Sequence, residues 1–150
     1  MARLIEGGAE TTVIDLAELD ANALLGRRQD PAVQRALALV ERTNILVAST
    51  PVYRATYTGL LKAFFDLFPQ RALEGKVAFG IATGASSAHR VTVDQGLRPL
   101  FASVNADVTS TGIYATDTDL ASPDAHAKVL EQIDRAVLEA LELAEKIRGA

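Results

Sequence analysis

The stretch Ile45–Phe68, ILVASTPVYRATYTGLLKAFFDLF, decides how this chain is read. It opens within an apolar, β-branched-rich run, Asn44–Ser49 (NILVAS), that is continuous rather than alternating. A short continuous run of this kind suits a strand buried on both faces, as in a parallel sheet. The run breaks at Thr50-Pro51-Val52-Tyr53-Arg54. Thr58-Gly59 then starts a helix that carries Leu60, Leu61, Phe64, Phe65, Leu67 and Phe68 before Pro69 ends it. So wide an apolar face implies deep burial or contact with another subunit. The order is strand, loop, helix, and the loop Thr50–Tyr57 holds the densest cluster of rings, hydroxyls and guanidinium in the chain. In open α/β sheets ligands bind outside the carboxyl ends of strands, where such a loop sits.

Working outward, the same alternation repeats. Asp30-Pro31 reads as N-cap and first helical position, with Val33, Ala36, Leu37 and Val40 at helical spacing to about Arg42. Val77–Thr83 (VAFGIAT) is a second buried strand and runs into the small-residue loop Gly84-Ala85-Ser86-Ser87. His89–Val104 reads as a helix with Pro99 inside it, so a kink or a change of pitch is expected there. Val108–Ala115 (VTSTGIYA) is the next strand, Thr116–Ser122 a polar loop, and Pro123 starts a last helix with Leu130, Ile133, Val137, Leu141, Ala144 and Ile147 on one stripe. On the amino-terminal side, residues 2–6 resemble the end of a helix closed by Gly7-Gly8. Thr11–Leu16 (TTVIDL) reads as a strand, and residues 17–30 as a loop with at most one helical turn. Short strands alternating with helices imply an α/β fold with a parallel sheet between two helical layers.

The totals agree with one domain and narrow its chemistry. The 150 residues are 49% hydrophobic and 23% charged, which is the balance of a globular chain. A net charge of −4 argues against nucleic-acid binding, which needs clustered cations. The absence of cysteine excludes disulfides, thiolate catalysis and Cys-based metal sites. No apolar run has the length of a membrane span, and the start shows no signal-peptide core. His89 and His126 stand thirty-seven positions apart without carboxylates at ligand spacing, so no metal site is expected. Ser86, His89 and Asp94 do not have the spacing of a triad, and no catalytic acid, base or nucleophile is assigned.

Two loops remain as candidates. A flat redox ring needs an apolar or aromatic wall, backbone donors along its edge and a cation near its electron-rich side. Pro51 and Tyr53 have the character of such a wall. The N–H groups of Val52, Tyr53 and Arg54 are candidate donors, and Arg54 brings the charge. The same residues also describe an aromatic surface turn, and residue types alone weigh the two readings evenly. Thr83-Gly84-Ala85-Ser86 is expected beside the first loop in a parallel sheet, with glycine permitting close approach of backbone to a ligand.

TPVYRATYTGLLKAFFDLFP, then RALEGKVAFGIATGASSAH, then VDQGLRPLF resemble the NAD(P)H-dependent FMN reductase family, most of all the FMN reductases of two-component sulfonate monooxygenase systems. The resemblance runs from about Leu4 to the carboxyl terminus. It implies a flavodoxin-like fold with a five-stranded parallel sheet in the order 2-1-3-4-5, FMN with NADPH or NADH, and hydride transfer between the two. It also implies a cytoplasmic homodimer or homotetramer, with a monooxygenase or another acceptor as partner. Pro51, Val52, Tyr53 and Arg54 match the family loop that lines the flavin ring, and Thr83, Gly84, Ala85 and Ser86 the loop that closes its other side. Ala85 stands where the family often has a second glycine. His89–Val104 matches a subunit-contact helix, with Gln95 where an aromatic residue is expected. The family's first strand, its Ser/Gly-rich phosphate loop and most of its first helix have no counterpart here. The expectation is one flavodoxin-like domain over residues 1–150 that starts late relative to the family. A module that keeps the scaffold without binding flavin is the alternative.

Overall fold

The structure is a computed structural model that describes residues 2–6 and 8–149. Among these, a four-stranded parallel sheet lies between two layers of helix. Its strands are β1 (Ile45–Pro51), β2 (Val77–Gly84), β3 (Asp107–Val108) and β4 (Ile113–Thr116). β2 is central. It pairs along its whole length with β1, at its start with β3 and at its end with β4. β1, β2 and the β3/β4 strand thus stand as the last three strands of the expected order, all parallel.

The strands alternate cleanly between two cores, as a period of two requires. On one face Leu46, Ala48, Ala78, Ala82 and Tyr114 meet α3 (Pro31–Arg42), α4 (Gly59–Phe65) and α5 (Arg98–Ala102). On the other face Ile45, Val47, Val77, Phe79, Ile113 and Ala115 meet α1 (Ala2–Glu6) and α7 (Pro123–Arg148). Large strand residues there face small helix residues, Ala136, Ala140 and Ala144 of α7, which lets the long helix sit close. Caps follow the sequence. The Asp30 carboxylate accepts from Ala32 N–H at 2.8 Å and Val33 N–H at 3.2 Å at the start of α3. The Thr58 hydroxyl accepts from Leu61 N–H at the start of α4.

Five expectations need correction. Thr11–Leu16 is not a strand: residues 11–15 are irregular and Leu16–Glu18 form a 3-10 turn. A strand exists only through its ladder. The neighbour expected beside it is the first strand of the 2-1-3-4-5 order, for which the described residues hold no counterpart. β1 is accordingly paired on one side only. His89–Val104 is not one helix. It is a 3-10 segment (Ser87–Val91), a π-turn (Val93–Leu97) and then α5. The change of pitch falls just ahead of Pro99, whose missing N–H and ring a regular turn cannot accommodate. The strand at Val108–Ala115 is interrupted between β3 and β4. Thr116–Ser122 is not a loop, because Thr116 and Asp119 cap each other and start the short helix α6 (Asp117–Ala121). Leu130 is off the buried stripe of α7, where Val129 faces inward instead. One further helical piece, α2 (Ala21–Leu24), is a helical turn of the kind expected within residues 17–30, which the 3-10 turn at Leu16–Glu18 also enters.

The interruption between β3 and β4 is held from both layers. Arg98 Nε donates to Asp94 at 2.8 Å, and the rest of its guanidinium donates to the carbonyls of Thr109 and Ser110. The Glu139 carboxylate of α7 accepts from the N–H groups of Ser110 and Thr111. Burial alone would raise the Glu139 carboxyl, but these hydrogen bonds outweigh it and hold the group below the usual carboxylate range. No described helix is long and apolar enough to cross a membrane.

Candidate functional site

The carboxyl ends of β1, β2 and β4 lie side by side, with Pro51 opposite Thr83 and Gly84 opposite Thr116. The two loops picked out in the sequence are therefore neighbours. The first leaves β1 through Val52, whose N–H donates to the Thr83 carbonyl at 2.7 Å, and returns at Tyr57, which bridges back to Val52. Val52 is thus not a free donor, contrary to expectation: its N–H extends the β1–β2 ladder by one step. Its side chain is buried as well. Tyr53 and Arg54 are at the exposed tip, and the Tyr53 side chain is 72% exposed.

The loop is fastened at base and tip. At the base the buried Thr50 hydroxyl accepts from Thr58 N–H at 3.1 Å and lies 3.3 Å from the Thr58 hydroxyl. At the tip Ala55 has a φ of 58°, a left-handed conformation that a residue with a Cβ adopts only under constraint. The constraint is Thr92, whose buried hydroxyl donates to the Ala55 carbonyl at 3.0 Å. Tyr57 packs against the π-turn at Gly96, where a Cβ would stand 3.1 Å from the tyrosine ring. The exposed aromatic end is carried on a preformed backbone.

The second loop leaves β2 at Gly84. Ala85 and Ser86 are exposed, while Thr83 and Gly84 are half-buried. Ser86 starts the 3-10 segment, its hydroxyl accepting from Ala88 N–H at 3.3 Å and its carbonyl from His89 N–H at 3.1 Å. His89 therefore sits in a turn on the carboxyl side of the loop. Arg90 places its guanidinium carbon 5.9 Å from the centre of the Tyr114 ring. Hydrogen bonds from the Thr116 backbone and hydroxyl lower the Asp119 carboxyl, and the Arg90 charge adds to this. A surface groove of about 360 Å³ lies alongside, lined among others by Arg90, Asp94, Gln132 and Arg135, and none of its lining residues belongs to either loop.

The eight residues expected at the site, Pro51, Val52, Tyr53, Arg54, Thr83, Gly84, Ala85 and Ser86, are all brought to this one end of the sheet. Sequence reasoning missed the residues that hold them there: Thr50, Thr58, Thr92 and Tyr114. Their signal is register. Tyr114 lies two positions before the end of β4, on the same face as Ala82.

The family model described as NADPH-dependent FMN reductase matches residues 1–121. The chain belongs to this family. An FMN reductase (NADPH) of Pseudomonas putida is 36% identical over 142 residues, covering 93% of this chain and 72% of that protein. An NADH-dependent FMN reductase, SfnF, of Pseudomonas fluorescens is 37% identical over 115 residues, covering 75% of this chain and 62% of that one. The FMN reductase (NADPH) of Escherichia coli is 37% identical over 97 residues, and the match spans only 51% of its length. Among solved structures, the apo form of the NADH:FMN oxidoreductase EMOB superposes with a TM-score of 0.83 at 32% identity, covering 93% of this chain and 77% of that one.

Set against FMN, the donor set of this family member is uneven. An exposed tyrosine, an adjacent guanidinium and two backbone turns at strand ends suit a flat aromatic ring with polar edges. For the phosphate, no Ser/Gly-rich loop between a first strand and a helix occurs among the described residues, whose first strand in chain order is β1.

Proposed function

We propose that the chain acts in NAD(P)H-dependent reduction of FMN, supplying reduced flavin to a partner monooxygenase or another acceptor. The observation that carries this reading is the pair of loops, Pro51–Arg54 and Thr83–Ser86, held side by side at the strand ends. Pro51 and Tyr53 form the wall for the ring, Arg54 places its charge at the ring edge, and Thr83–Ser86 closes the other side. FMN held between Pro51–Arg54 and Thr83–Ser86 would supply the redox chemistry, with the nicotinamide as hydride donor. The residues of the chain bind and orient, which is why no acid or base is needed. The reading includes a cytoplasmic homo-oligomer.

Fluorescence titration with FMN tests the reading. Quenching that saturates in the micromolar range is expected, with steady NAD(P)H oxidation that depends on added FMN. Tyr53→Ala is expected to weaken binding by about tenfold, the worth of one aromatic stacking contact. No quenching at FMN concentrations on the order of tens of micromolar would favour a flavodoxin-like module without flavin. β1, paired on one side only, is the feature that module would use to associate.

A further inference from the structure

We propose that Tyr114 is a positioning residue for the second loop, setting the height at which the Gly84–Ser86 backbone meets the ring edge of the flavin. The inference rests on the flavin reading above. Tyr114 is 2% exposed and belongs to the core on the α4 and α5 side of the sheet. Its hydroxyl reaches out of that core and donates to the Ser86 carbonyl at 2.7 Å. The same oxygen occupies the space a side chain at position 84 would need, since a Cβ there would stand 2.7 Å from it. Arg90, in the 3-10 segment that follows the loop, lies over the ring of the same tyrosine. One buried tyrosine therefore binds the loop at Ser86, crowds it at Gly84 and lies under Arg90 of the segment that follows.

The hydroxyl is not needed to satisfy the carbonyl. Ser86 is exposed, and its carbonyl also accepts from His89 N–H. Removing the hydroxyl leaves no orphaned acceptor, and the ring itself still fills the core. Its specific effect is on where the loop sits. A backbone displaced by a fraction of an ångström weakens hydrogen bonds to a bound ring more than it weakens the fold.

The test is Tyr114→Phe in the full chain, with Gly84→Ala as a second variant that drives a methyl group against the same hydroxyl. FMN dissociation constants come from fluorescence quenching, and urea midpoints from circular dichroism. Tyr114→Phe is expected to lower the urea midpoint only slightly, as the loss of one hydrogen bond to an exposed carbonyl does, so that the chain stays folded across the titration, and to raise the FMN dissociation constant by about threefold to tenfold through the displaced loop. The KM for FMN rises with it while the KM for NAD(P)H stays. Gly84→Ala weakens FMN in the same direction. Wild-type chain that binds FMN beside a Tyr114→Phe variant with an unchanged constant overturns the assignment of Tyr114 alone. Tighter or unchanged FMN binding by Gly84→Ala also overturns it. A wild-type chain that does not quench FMN overturns the flavin reading, and this proposal with it.

Discussion

Replacing Gly80 by alanine, in the middle of β2, tests the contact on which the π-turn rests. A Cβ at position 80 would stand 2.5 Å from Leu97 Cδ1, 3.2 Å from its Cβ and 3.3 Å from its Cγ. The tip of a leucine can swing, but Leu97 is fully buried and its own Cβ is crowded too, so the turn itself must move. Overpacking of this kind costs about 1–3 kcal/mol, and the stiffer unfolded chain returns about 0.4–1 kcal/mol, for a net loss of about 1–2 kcal/mol. Leu97→Ala alone is expected to cost about 2–5 kcal/mol for the lost burial and the cavity. In the double variant the new methyl group occupies part of the space that Leu97 vacates, so the two losses should fall short of their sum by about 1 kcal/mol or more. Urea unfolding of the four proteins, with equal m-values, measures the cycle. Losses that add to within about 0.5 kcal/mol would show that the π-turn does not sit directly on the glycine.

Two further substitutions test the restraints on the β3–β4 break and on the first loop. Glu139→Gln removes the charge from the acceptor of the Ser110 and Thr111 N–H groups and is expected to cost about 1–3 kcal/mol near neutral pH by thermal or urea melts. The folded-state pKa of Glu139 lies below its unfolded value, so the stabilisation is present above the unfolded carboxyl range and disappears as pH falls through the folded value. Wild type and Glu139→Gln should therefore converge in acid, and a gap that persists there would contradict the assignment. Thr92→Val keeps the shape but loses the bond to the Ala55 carbonyl, which relieves the left-handed tip. The expected loss of stability is about 0.5–1.5 kcal/mol, with faster proteolytic cutting at residues 53–56, and wild-type cutting rates would speak against the restraint.

Much of this fold can be read from local pattern. β1 and β2 are continuous apolar runs and α3 and α7 have a clear helical period, each with a cap or breaker, Asp30-Pro31 and Pro123 among them, and their bounds fall within a few residues of expectation. The adjacency of the two loops also follows from pattern, because parallel strands put their carboxyl ends on one side. Most of the misses share a cause: they depend on a partner distant in sequence. Thr11–Leu16 has β-branched residues but no neighbouring strand to pair with. Thr109–Gly112 has strand-like residues, but its polar groups go to Arg98 and Glu139. The pitch of residues 87–104 depends on how Val93 and Leu97 fit over the sheet, which Pro99 alone does not reveal. Thr92 and Tyr114 look like ordinary core and strand residues until the fold sets one under Ala55 and the other under Ser86. The Thr116–Asp119 box was legible, a threonine three residues before an acid, but it was masked by the polarity of the segment.

The break between β3 and β4 has a mechanical side. Arg98 belongs to the helical layer on one face of the sheet and Glu139 to the layer on the other, and between them they grip three consecutive residues, Thr109, Ser110 and Thr111, with Ser110 held by both. The segment works like a rivet through a laminate. Peeling α7 from its face strips the acceptor from Ser110 and Thr111, which frees the carbonyls that Arg98 holds and slackens α5 on the opposite face. The layers are then expected to open as one unit rather than one face at a time.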